Sequence, residues 1–161
     1  GDRYYGHLSI IMRSIQWTHL FINEGYLISG GIDIGLAYHE DGNIVGPAYQ
    51  EAYHIENEVA EFPRILLSEK AEKEWNNLNF NQNMCIERDG RLMVNGLFPH
   101  KNYIEEEYRT LYFESYYKRI QKIIDHNLSE LERWTEERSE NQYEKQAAKD
   151  KWAWLENIQM K

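Results

Sequence analysis

The stretch Tyr26-Leu27-Ile28-Ser29-Gly30-Gly31-Ile32-Asp33-Ile34-Gly35-Leu36-Ala37 decides how the chain is read. Its residues alternate: Ile28, Ile32, Ile34 and Leu36 share one face of a strand, and Ser29, Gly31, Asp33 and Gly35 share the other. Glycines inside a strand weaken it, so they mark a place where a ligand or another backbone comes close. Asp33 then reads in two ways, as a substrate-facing acid or as a solvated acid on a tightly packed strand. The G-x-G-x-x-G and G-K-[ST] frames are absent, so this is neither a dinucleotide nor a phosphate-loop fingerprint.

Working outward, Leu8, Ile11, Met12, Ile15 and Leu20 recur at helical spacing before the strand, and Gly25 suits the helix end. After it, Asp41-Gly42 signals a hairpin whose return strand begins at Ile44-Val45. Pro47 fits the first turn of a helix with Ala48, Ala52, Ile55 and Val59 on its inner seam, and Phe62-Pro63 ends it. On another side of that helix Gln50 and His54 stand four apart, able to reach one ligand or simply to face water. Ile65-Leu66-Leu67 is a short apolar strand, and Ser68 opens the next helix. A loop at Asn76–Asn83 leads to a second hairpin around Asp89-Gly90. From about Asn102 a helical stripe runs through Ile104, Tyr108, Leu111, Ile120, Ile124, Leu128, Leu131 and Trp134. A last helix carries Tyr143, Ala147 and Trp152. The order predicts an α+β fold, with an α+β domain over residues 1–101 and a helical extension over 102–161. Few strands are present, which leaves sheet edges open to a partner.

The 161 residues, 42% of them hydrophobic, are enough for one domain with a buried core. No apolar run approaches the roughly 20 residues of a membrane span. Gly1–Tyr5 does not read as a signal peptide, and the single cysteine, Cys85, excludes an internal disulfide, so a cytoplasmic location is expected. A formal net charge of −9 argues against nonspecific binding to nucleic acid or to an anionic membrane. The histidines form no HxxxH or HExxH pair, and no G-x-S-x-G frame is present. Tyr112, Phe113, Tyr116 and Tyr117 read as helix packing, with base stacking as the sharper alternative.

Three segments in this order, Ile28-Ser29-Gly30-Gly31-Ile32-Asp33-Ile34-Gly35, Ile44-Val45-Gly46-Pro47-Ala48 with its helix to Ile55-Glu56, and Pro63-Arg64-Ile65-Leu66-Leu67-Ser68, resemble the C-terminal portion of a class III nucleotidyl cyclase catalytic domain. The "GPA…AY…E…PRI" variant with its following "DG" hairpin is most similar to the bacterial pyrimidine cyclases of the Pycsar anti-phage system. The resemblance covers about residues 5–97. It implies a ferredoxin-like antiparallel sheet with helices on one side, and formation of cyclic UMP or cyclic CMP from the nucleoside triphosphate in anti-phage signalling. The other expectation is a catalytically inactive, cyclase-like nucleotide-binding or protein-interaction module. The family's transition-state Asn falls on Gln50 and its Arg on His54, which makes these the expected catalytic pair. Ser29, Gly31, Asp33 and Asn95 are the expected substrate-binding positions. The family uses a divalent metal, Mn or Mg, but its two metal-binding aspartates belong to strands outside these residues, so the chain alone is expected to be inactive. A homodimer, or a chain supplying the N-terminal half of the sheet, is the expected partner.

Overall fold

The computed structural model describes residues 6–78, 82–98, 106–137 and 142–159. The chain divides into two compact units, one of Gly1–His19 with Leu27–Phe98 and one of Leu20–Tyr26 with Pro99–Lys161. The expected boundary at 101/102, and the expected helix start near Asn102, lie outside the described residues.

The first unit opens with helix α1 (Gly6–Asn23), which continues into the second unit. Next come strand β1 (Gly30–Ile32), the hairpin strands β2 (Tyr38–Glu40) and β3 (Asn43–Val45), and helix α2 (Pro47–His54), prolonged by a π turn over Ile55–Val59. Strand β4 (Ile65–Leu67), helix α3 (Glu69–Asn76), and strands β5 (Cys85–Arg88) and β6 (Arg91–Val94) complete it. The main sheet has four strands in the order β1-β4-β6-β5, and β2–β3 is a separate two-stranded sheet. The architecture is therefore α+β, as the order of patterns predicts.

Three expectations are corrected. The sheet is mixed rather than antiparallel, because β1 runs parallel to β4 with Gly31 beside Leu66. A parallel pair needs a crossover, and α2 supplies it, making a β-α-β unit. The strand expected over residues 26–37 is confined to Gly30–Ile32, and Leu36 is 68% exposed instead of lying on an inner face. Helices cover both faces of the sheet rather than one. Ile11 and Ile15 of α1 and Ala71 and Trp75 of α3 pack with Leu67, Cys85 and Val94, with Ile32 and Ile65 at the margin of this core. The opposite face of β1 receives α2.

The two hairpin signals hold. Asp41-Gly42 and Asp89-Gly90 both take positive φ, at 48° and 82° and at 52° and 71°, as a two-residue turn matching the strand twist requires. Ser68 caps α3, its hydroxyl accepting from the Ala71 N–H at 3.1 Å.

The second unit is built on α4 (Glu106–Glu137) and α5 (Gln142–Gln159), which pack on each other. Ile120, Ile124, Trp152 and Leu155 are buried. Tyr116 is also buried and meets Tyr117 edge-on, while the side chains of Tyr112 and Phe113 lie outside the described residues. Lys145 is only 1% exposed, and its ammonium donates to the Trp134 carbonyl at 2.7 Å, 4.6 Å from the Trp134 ring centroid. The charge thus sits against the C-terminal turns of α4, where the helix carbonyls favour a cation.

Gly31 is where α2 meets the sheet. A Cβ built there would stand 2.2 Å from the Ala52 carbonyl oxygen and 2.8 Å from Ile55 Cβ, whereas at Gly30 it would stand 3.5 Å from the Ile65 side chain. Gly31→Ala should lower stability by about 3 kcal/mol in urea titration, because backbone cannot yield as a side-chain tip does. Gly30→Ala should change it by less than about 1 kcal/mol.

Burial pushes the Cys85 thiol up to about 12. The native thiol therefore stays protonated at pH values where the unfolded one ionises. The unfolded chain binds fewer protons in that window, so this contribution is complete below about pH 9 and is lost as pH rises toward 12. Cys85→Ala should flatten that alkaline loss in stability curves, and a thiol reagent at pH 8 should label only the unfolded protein.

Candidate functional site

Residues Ser29, Gly31 and Asp33 follow the alternation of β1 and the chain beside it, and each meets a protein group. The Ser29 hydroxyl donates to Glu56 Oε1 at 3.4 Å, Gly31 meets Ala52 and Ile55, and Asp33 Oδ1 accepts from the Ser68 hydroxyl. The Asp33 carboxylate thereby joins the cap of α3 as second acceptor in a relay from the Ala71 N–H, at the helix end that favours negative charge. The glycine in the strand answers the approach of a backbone, the second of the two meanings that such a glycine carries.

On α2 the direction of each side chain follows from its pitch of about 3.6 residues per turn. Ala48, Ala52 and Ile55 form the inward seam, with Ala48 and Ile55 buried. Gln50 and His54 are exposed and project from the outer side of the helix. His54 Nδ1 lies 3.5 Å from Glu58 Oε2, one helical turn on, and the two side chains are 52% and 72% exposed. The imidazole is an ion-pair partner only when protonated. Tyr49 and Tyr53 lie together to one side of this pair, stacked with centroids 6.3 Å apart and planes 29° apart, and both are exposed.

The sequence-based site therefore separates into three places. Ser29, Gly31 and Asp33 lie along the inner side of α2 and the start of α3. Gln50 and His54 come together on the outer side of α2, so this helix stands between them and Gly31. Asn95 follows β6 directly, its amide donating to the Asn83 carbonyl at 2.9 Å and its backbone N–H to the Met84 carbonyl at 2.8 Å. Those bonds tie the sheet to the turn before β5.

Sequence reasoning assigned no site role to three residues. Glu58 carries a signal as one of the polar residues that share a helix face with Gln50 and His54, and Glu56 as the end of that helix. Lys70 has none: its ammonium reaches within 3.8 Å of a Cβ built on Gly35, and only the fold brings them together. Among the described residues no group of three or more His, Cys, Asp or Glu side chains gathers to hold a metal ion. Asp33, the acid nearest the candidate strand, is engaged by Ser68. These residues do not form the donor set for the divalent metal that the resemblance implies.

One further feature of this region is electrostatic. From Ser14 to Pro63 the sequence contains neither lysine nor arginine, while Asp and Glu recur throughout. The outer side of α2 and the hairpin before it therefore hold no permanent cation of their own. No described helix is long and apolar enough to cross a membrane. Comparisons with protein-family models, curated proteins and solved structures give no match.

Removing the Ser68 hydroxyl takes away both the helix cap and the Asp33 partner. Ser68→Ala should cost about 1–2 kcal/mol. In a double-mutant cycle with Asp33→Ala the two substitutions should couple by more than about 0.5 kcal/mol; additive losses would show that the relay adds nothing.

Proposed function

We propose that this chain is the C-terminal part of a class III cyclase-like protein of the pyrimidine type, whose nucleotide site is completed by a partner, either a second copy or another chain. The observation that carries this reading is the placement of Gln50 and His54. The two positions that match the family's catalytic pair share the outer side of α2, beside a pair of exposed stacked tyrosines and away from the sheet. In this reading that side of α2 supplies one wall of the site and the partner supplies the facing wall. The open edge of β1 suits a partner that extends the sheet.

In the proposed reaction the ribose 3′-oxygen attacks the α-phosphorus and pyrophosphate leaves. The Gln50 amide has two N–H donors with which to hold the sugar or a phosphate oxygen. His54, when protonated, stands where negative charge develops, although it reaches less far than an arginine would. Divalent metal chemistry, if used, draws its ligands from outside the described residues.

A cyclase-like module that binds without turnover is the second reading. The replacement of the family's Asn and Arg by Gln50 and His54 favours it, as does the absence of lysine and arginine from Ser14 to Pro63.

Protein expressed from its full reading frame should convert UTP or CTP to the cyclic monophosphate in the presence of Mn²⁺. Gln50→Ala and His54→Ala should each lower turnover by about 10²-fold or more. Calorimetric nucleotide binding with no cyclic product identifies the second reading. Neither turnover nor binding with any of the common nucleoside triphosphates overturns both.

A further inference from the structure

We infer that the surface formed by the β2–β3 hairpin and the flank of α2 docks an apolar protein segment that carries lysine or arginine side chains. The inference deepens the reading in which α2 needs a partner, by giving that partner's chemistry, and it is tested without nucleotide.

Exposed apolar side chains cluster on these elements. Leu36, Tyr38, Val45, Tyr49 and Tyr53 are 68%, 65%, 60%, 44% and 59% exposed, and Ile44, 46% exposed, lies on the other face of the hairpin with His39. They belong to adjoining pieces of backbone. Tyr38 is the register partner of Val45, the Leu36 carbonyl accepts from the Ala48 N–H at 3.3 Å, and β3 passes through Gly46 directly into α2. Every residue of β2 and β3 is exposed, so the hairpin has no core of its own on either face. A two-stranded ribbon of this kind is marginal in water by itself and gains most from a surface laid against it. Clustered exposed apolar groups mark interaction sites, and tyrosine anchors bind at low cost in side-chain freedom.

Charge selects the occupant. Glu40 and Asp41 stand on the hairpin, within the stretch that has no lysine or arginine. A second copy meeting this surface through a two-fold axis would bring acids against acids. A segment with apolar side chains for the tyrosines and cationic ones for the carboxylates matches both properties.

Two synthetic amphipathic helical peptides of equal length test the inference, one of leucine and lysine and one of leucine and glutamate, titrated by calorimetry into the intact chain. The leucine–lysine peptide should bind about tenfold or more tighter than its counterpart. The double variant Tyr49→Ser/Tyr53→Ser, which removes only exposed rings, should keep its circular-dichroism melt and weaken that binding by about tenfold. The variant Glu40→Gln/Asp41→Asn should abolish the preference for lysine. Unchanged binding by the tyrosine variant, equal binding of the two peptides, or no binding overturns the inference. So does sedimentation showing a self-association that the tyrosine variant abolishes, because the occupant is then a second copy. Loss of cyclase activity with peptide binding intact sinks only the nucleotide reading.

Discussion

At Gly31 the missing side chain lets the carbonyl of Ala52 sit where a methyl group would be, and α2 settles onto β1 at backbone distance. Much of the first unit follows from that approach. It closes the β-α-β crossover that makes β1 and β4 parallel. It fixes the roll of α2, so that Ala48, Ala52 and Ile55 point inward and Gln50 and His54 outward. It turns Tyr49 and Tyr53 toward solvent beside the hairpin. A glycine that costs the strand conformational entropy thus sets which side chains are available for binding.

The elements whose pattern lies within a short window were legible in the sequence. Helical periodicity marks α1 and α2, the Asp-Gly pairs mark both hairpin turns, and Ser68 marks the capped start of α3. The sheet was less legible. Strands of three residues such as β1 and β4 carry too little alternation to say which strand lies beside which, or in which direction. Leu36 continues the apolar spacing of Ile32 and Ile34, yet the strand has ended by then and the side chain emerges into water. No sequence pattern marks Lys145 for burial, which follows from where α5 meets the end of α4.

The candidate site shows the same division. That Gln50 and His54 lie together follows from their separation of one helical turn. The inner seam of Ala48, Ala52 and Ile55 already turns that side away from the core; what no local pattern encodes is that Ala52 packs on Gly31, distant in sequence. The glycines were read as making room for something, which is correct, but the occupant is the protein's own helix. Ser29, Gly31 and Asp33 accordingly help to hold α2 and α3 in place, and the chemistry open to a second molecule is displayed on the outer side of α2.

The stretch without lysine or arginine has a practical consequence at the bench. Trypsin finds no bond to cut between Ser14 and Pro63, whether that region is folded or not, and releases it as a single fragment ending at Arg64. Its survival in a tryptic digest therefore carries no information about local order. A glutamate-specific protease, with sites at Glu40, Glu51, Glu56 and Glu58 on the hairpin and the helix, samples the very surface that a partner would shield.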